Sequence, residues 1–248
     1  RAMQRDPIVI IGGFGSDWRD YQELARLLAG IADRRVFITH VTRATWVLGG
    51  FSDYKLLVDC AHQAVLHALR ITGAGKVVLV GHSAGGVIGR GYLADKAIRP
   101  HHIPHHGHTR VSRLIMLGSP LRGGATSSQP GMRQAAWLDE AYPGAYWPGV
   151  QYLSVRGRLI QGRLAGGSPR EILAFRNYEF LGAAGDAMGD GVVPESLAAV
   201  DGIPLMDIEG IGHSPLWGRW FGTDAAATRA WWQYFDVGDR VDEKVAYA

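Results

Sequence analysis

The stretch Val77–Gly86, VVLVGHSAGG, decides how the rest of the chain is read. Four branched apolar residues, Val77 to Val80, form a buried-type strand that runs straight into Gly81-His82-Ser83-Ala84-Gly85. That pentapeptide matches G-x-S-x-G, in which a serine is held on a tight turn between a strand and a helix. A side chain at Gly81 or Gly85 would collide across such a turn. Ser83 must also adopt a strained backbone conformation that exposes its hydroxyl. Gly86, Gly89 and Gly91 let the following helix lie close on the sheet. In a chain with 34 glycines the bare pattern is not specific. Its context, a strand before and a helix-compatible run from Ala84 to Lys96 after, makes Ser83 the candidate nucleophile.

Upstream, Pro7 to Ile11 reads as a fully buried strand, as a parallel central sheet requires. Gly12-Gly13-Phe14-Gly15 ends it, and a helix is expected from Ser16 or Asp17, with Leu24, Leu27 and Leu28 as its apolar stripe. Arg35 to Val41 is predicted as the next strand. Thr42 to Asp53 is expected to be a loop carrying Trp46, Leu48 and Phe51, either a pocket wall or a plain hydrophobic plug. Lys55 to Ile71 places Leu57, Ala61, Ala64, Val65 and Ala68 on one helical face. Downstream, strands are predicted at Val111–Leu117, Gln151–Val155 and Ile203–Ile208, and a last helix at about Asp224–Phe235. Such alternation predicts a mostly parallel, doubly wound α/β sheet with helices on both faces. Two stretches rich in glycine and aromatics, 121–149 and 157–189, break the pattern. They are expected to be cap or lid insertions in a single domain over residues 1–248.

A serine hydroxyl needs a base to take its proton and a carboxylate to orient that base, in the order Ser, acid, His. His101, His102, His105, His106 and His108 come too early in the chain. His213 follows the last strand in Gly210-Ile211-Gly212-His213-Ser214-Pro215, a rigid, exposed loop able to present an imidazole, and is the candidate base. Among Asp186, Asp190, Asp201 and Asp207, the turn Gly189-Asp190-Gly191-Val192-Val193-Pro194 makes Asp190 the candidate acid. Asp207 is expected to be structural, within a strand, and Asp201 a turn residue. The oxyanion needs two backbone N–H donors, expected at Ala84 and at Phe14 in the loop after the first strand.

At 248 residues, 47% apolar and 20% charged, the chain suits a folded domain with a sizeable core. Its formal charge is +3 with Lys and Arg scattered, which argues against a nucleic-acid groove. A weak preference for anionic lipid surfaces, with transient membrane contact, stays open. No apolar stretch reaches the length of a membrane span. The single Cys60 excludes an intrachain disulfide. No targeting segment is visible, and a cytoplasmic or plastid-stromal setting is the expectation. The run HHIPHHGH at 101–108 lacks a carboxylate or cysteine at ligand spacing and is expected to be a mobile loop without metal; no cofactor is expected either. Trp46, Trp137 and Trp147 are candidate substrate contacts. Trp137 and Trp147, with Tyr142 and Tyr146, fit a roof over the core equally well.

With GHSAGG, GDGVVP and GIGHSP in that order, the chain resembles α/β-hydrolases of the lipase and esterase type. Its acid and histidine loops are most similar to those of plant and cyanobacterial lipase-like hydrolases. Leu117–Gly124, LGSPLRGG, is similar to the GTPHRGS run of many lipases. The resemblance implies an α/β-hydrolase fold, Ser83, Asp190 and His213 as a triad, and Phe14 and Ala84 as oxyanion donors. The chain departs from the family in carrying Gly12-Gly13 where lipases usually have His-Gly, and it lacks the GHSRGG form of chlorophyllases. The expectation is therefore a serine carboxylester hydrolase acting on a hydrophobic, lipid-like ester. The alternatives are an acyltransferase using the same acyl-enzyme and a non-catalytic binding protein of this fold.

Overall fold

In the computed structural model, residues 5–49, 54–97, 102–124 and 127–235 are described. In chain order the elements are β1 (Ile8–Ile11), a 3-10 turn at Trp18–Tyr21 leading into α1 (Gln22–Ala32), β2 (Val36–Ile38), α2 (Arg43–Gly49), α3 (Lys55–Thr72), β3 (Val77–His82) and α4 (Ala84–Leu93). There follow β4 (Val111–Leu117), α5 (Pro130–Ala141), β5 (Gln151–Arg158), β6 (Ile160–Gln161), α6 (Pro169–Phe180), β7 (Met188–Gly189), α7 (Glu195–Ala198), β8 (Leu205–Glu209) and α8 (Ala225–Trp232).

The main sheet has the order β2-β1-β3-β4-β5-β8 and all its pairs are parallel. Every residue of β1 and β3 is buried, because helices cover both faces of the sheet. Strand alternation divides the core. Ile8, Ile10, Val78 and Val80 pack with Leu24 and Leu28 of α1 and Trp231 of α8. Val9, Ile11, Val77 and Leu79 pack with Leu57 and Val65 of α3, Val87 and Ile88 of α4, and Leu138 of α5. The chain goes from β1 outward to β2, then returns to the other side of β1 as β3. This reversal opens a crevice at the carboxyl ends of β1 and β3, where α/β sheets bind their ligands. The Gly12–Gly15 loop and Ser83 both lie there.

Local structure departs from expectation at several points. The first turn of the helix predicted from Asp17 is 3-10, closed by a capping box between Asp17 and Asp20. Residues Arg43–Gly49, expected as loop, form helix α2, anchored by buried Trp46; Phe51 lies outside the described residues. Strand β2 is only three residues long, at the edge of the sheet. Strand β5 runs past Val155 to Arg158, because β8 pairs with it over Ser154–Arg158. There Arg156 grips Asp207 with two hydrogen bonds, of 2.6 and 2.7 Å.

Within 121–149, α5 packs on α4. The buried Arg90 guanidinium donates to the Tyr142 carbonyl at 2.9 Å, joining the two helices. Within 157–189, β6 and β7 form an antiparallel ribbon and α6 starts in a capping box between Ser168 and Glu171. Ala174 and Tyr178 of α6 pack against Trp217. Among the described residues no helix is long and apolar enough to cross a membrane.

Candidate active site

Ser83 sits between β3 and α4 with φ +55° and ψ −126°, a backbone conformation that L residues rarely adopt. Its N–H donates to the Leu117 carbonyl at 2.9 Å, fixing the elbow to β4. Glycine at position 81 is required by the tightness of the turn, since a Cβ there would lie 2.5 Å from the Gly85 carbonyl oxygen. The same closeness governs the neighbouring loop. A Cβ on Gly13 would approach Ser83 Cβ to 2.8 Å, so the loop after β1 lies directly against the serine.

Asp190 and His213 meet although 23 positions apart. His213 Nδ1 lies 2.7 Å from Asp190 Oδ2, and both side chains are buried. The other carboxylate oxygen, Oδ1, accepts the N–H groups of Val192 at 3.0 Å and Val193 at 2.7 Å. These bonds lock the carboxylate in the turn that Gly191 makes with φ +99°. The His213 N–H also donates to the Asp190 carbonyl at 2.9 Å, so the two loops are joined by backbone as well as side chain. A carboxylate accepts, so Nδ1 carries the proton of this bond and Nε2 is left to face other chemistry. Two of the competing acids are otherwise engaged. Asp207 pairs with Arg156, whose guanidinium holds its carboxyl below the usual range, and Asp201 pairs with Arg122 at 2.9 Å.

Beside Ser83 opens a cavity of about 340 Å³, lined by Phe14, Ser83 and Ala84 together with Tyr54, Val87, Met132, Asn177, Phe180, Val192 and Val193. That volume falls within the roughly 300–1,000 Å³ of small-molecule sites. The first residue of α4, Ala84, and the tip of the β1 loop, Phe14, thus bound the same space as the serine hydroxyl.

Among the described residues, the tryptophans expected to touch substrate stand outside this lining. Trp46 lies one layer back, its ring edge-on to Phe14 at 5.2 Å and to Tyr54 at 5.8 Å. Trp137 meets Tyr142 at 5.8 Å, and Trp147 stacks on His108 at 3.7 Å; both help cover the core around α4 and α5. The walls come instead from Tyr54 just before α3, from α4, α5 and α6, and from the turn after Asp190. Nothing in the sequence of Met132, Phe180 or Val192 marks it as a site residue, because only the fold brings those segments together.

The histidine-rich run gains a carboxylate that sequence spacing did not provide. Asp59 of α3 lies 2.7 Å from His105 Nε2, and His105 stacks on His62 at 4.0 Å. No group of three or more His, Cys, Asp or Glu side chains is arranged to hold a metal among the described residues, and His101 lies outside them.

No family model matches the chain. No curated protein is similar to it at a significant level. Solved structures are. An esterase from Rhodococcus sp. ECU1013 is 14% identical, with 93% of this chain and 90% of that one covered and a TM-score of 0.51. The product of the gene lin2722 from Listeria innocua is 15% identical, with 92% and 93% covered and a TM-score of 0.50. At such identities the likeness is one of architecture, and the six-stranded parallel sheet flanked by helices is the α/β-hydrolase fold.

Proposed function

We propose that the protein is a serine carboxylester hydrolase that acts on a hydrophobic ester through an acyl-enzyme. The observation that carries this reading is the buried 2.7 Å bond between His213 and Asp190, together with a strained serine that opens onto an apolar cavity. In the proposed reaction Ser83 Oγ attacks the ester carbonyl carbon as its proton passes to His213 Nε2. Asp190 holds the imidazole by Nδ1 and balances the charge it gains. The developing oxyanion takes hydrogen bonds from the backbone N–H groups of Ala84, at the N-terminus of α4, and of Phe14. Collapse of this intermediate expels the alcohol, which takes the proton from His213 Nε2 and leaves the acyl group on Ser83. Water then attacks by the same route, losing its proton to His213, and releases the acid and the free serine.

The cavity walls support a hydrophobic substrate. Phe14, Val87, Met132, Phe180, Val192 and Val193 bury methylene groups at about 0.8 kcal/mol each, so an extended acyl chain gains more there than an acetyl group. On this reading 121–149 and 157–189 act as the cap, supplying the start of α5 and the end of α6. Kinship with plant and cyanobacterial lipase-like hydrolases rests on the acid and histidine loop sequences.

A fluorophosphonate probe together with a series of p-nitrophenyl esters tests the proposal. Covalent labelling lost in Ser83→Ala, with kcat/KM rising from acetyl to octanoyl, is the expected result. Labelling that survives the substitution would remove Ser83 from its role, and a protein that neither labels nor turns over would be a binding protein of this fold. A profile that peaks at acetyl and collapses by octanoyl would overturn the hydrophobic substrate alone.

A further inference from the structure

A chain of buried hydrogen bonds runs beneath Ser83 from the β1 loop to the histidine loop. The Gly13 N–H donates to the Tyr21 hydroxyl at 2.7 Å. That hydroxyl lies 2.8 Å from His82 Nδ1, and His82 Nε2 lies 2.8 Å from the His213 carbonyl oxygen. The direction of each bond is fixed by chemistry. A carbonyl only accepts, so His82 Nε2 bears the ring proton and Nδ1 offers a lone pair, which the Tyr21 O–H fills. The tyrosine oxygen is then free to accept from Gly13. Burial keeps both groups neutral, pushing the His82 imidazole down to about 3 and the Tyr21 phenol up to about 12.

Each end of the chain meets a part of the proposed machinery. At one end the Gly13 carbonyl accepts from the Ser16 hydroxyl at 2.6 Å and from the Ser16 N–H at 3.2 Å. Since a peptide unit is planar and trans, holding the Gly13 carbonyl sets the direction in which the Phe14 N–H points. At the other end the bond falls on the backbone of His213 itself. His82 is flanked by Trp220, edge-on at 5.2 Å, and by His213, so its ring has little room to turn.

We infer that Tyr21 and His82 are positioning residues, a strut that holds the Phe14 N–H and the His213 imidazole at a fixed separation about Ser83. The inference rests on the esterase reading above. Neither side chain touches substrate; each acts through the loop it holds. Removing the strut leaves the nucleophile and the cavity intact but lets the oxyanion donor drift. A misplacement of about 1 Å at such a group costs up to about 100-fold in rate.

Tyr21→Phe keeps the ring and removes only the hydroxyl. With p-nitrophenyl butyrate, kcat is expected to fall about 10- to 100-fold with KM within about twofold and unchanged circular dichroism. The ¹⁵N spectrum of histidine-labelled protein is expected to show His82 protonated at Nε2 in the wild type and in Tyr21→Phe, with the Nδ1 resonance shifted in the variant because its hydrogen-bond donor is gone. His82→Gln, which can still donate to the His213 carbonyl, should retain more kcat than His82→Leu, and this pair serves if Tyr21→Phe does not fold. A folded Tyr21→Phe with wild-type kcat, or equal kcat in the two His82 variants, would overturn the strut. A wild-type protein that takes up no fluorophosphonate label would overturn the esterase reading and the positioning role with it, which is a separate result because it needs no variant at Tyr21 or His82.

Discussion

Gly118 stands so close to Asp190 that a Cβ at this position would lie 2.7 Å from the carboxylate Oδ2 and 3.2 Å from His213 Nδ1. The residue also has φ +53°, in the left-handed region. Its N–H donates to the Val155 carbonyl at 2.9 Å, which pins the glycine at the end of β4. The space that holds the acid and the imidazole together is therefore made partly by the absence of a side chain. Gly118→Ala should displace Asp190 and strain the backbone by about 1–3 kcal/mol. A fall in kcat together with a melting temperature lower by several degrees is the expected outcome, measured by ester turnover and thermal denaturation. Full activity in this variant would show that the pair tolerates a wider spacing than the structure has.

Asp190→Asn should lower kcat by about 10⁴-fold, since the amide does not hold His213 in the tautomer that leaves Nε2 ready to accept a proton. Asp207→Asn should leave turnover within about twofold, because Asp207 faces Arg156 on the half-exposed edge of the sheet. Partly exposed ion pairs contribute about 1 kcal/mol or less, so its stability cost should be small. Comparable activity losses at both positions would refute the assignment of Asp190 as the orienting carboxylate.

Stability should fall as the solution is made acidic below the ordinary histidine range. His82 is held neutral in the folded protein, at about 3, whereas in the unfolded chain it protonates near the ordinary histidine value of 6.5. Between these values the unfolded state binds the extra proton, so unfolding becomes easier as pH falls, by up to about 1.4 kcal/mol per pH unit from this one group. Urea denaturation at pH 7 and pH 5 measures the slope, and His82→Gln should flatten it. An equal slope in the variant would mean that other groups govern the acid sensitivity.

Phe180→Ala, at the exposed end of α6, should spare the fold because that side chain is 65% exposed. It removes apolar wall from the cavity beside Ser83. At about 0.8 kcal/mol per methylene left uncovered, kcat/KM for octanoyl ester should drop about 10-fold while that for acetyl ester stays within about twofold. A proportional loss on both esters would indicate that the acyl chain does not run along α6.

How much of this was legible in the sequence depends on how local each feature is. The elbow is local: Gly81, Ser83 and Gly85 lie within five residues, and the steric demand that selects them acts within the turn itself. The sheet strands were equally plain, since burial on both faces writes Ile8–Ile11 and Val77–Val80 as unbroken apolar runs. Chain order singled out Asp190 and His213 as a pair to examine, but only the tertiary structure brings Nδ1 within 2.7 Å of Oδ2, across the end of β4 and past a glycine 72 positions before the aspartate. Which side chains of those stretches wall the cavity was not legible. Tryptophan at 46, 137 and 147 is equally at home against core or ligand, and its neighbours in the structure depend on how α2, α5 and the segment before β5 dock. Met132, Phe180 and Val192 line the cavity because α5, α6 and the turn after Asp190 converge beside Ser83. The link from Tyr21 to His82 to His213 is of the same kind. Hydrogen bonds between partners 61 and 131 positions apart leave no periodicity in a sequence, and exist only once β1, β3 and the loop after β8 have packed side by side.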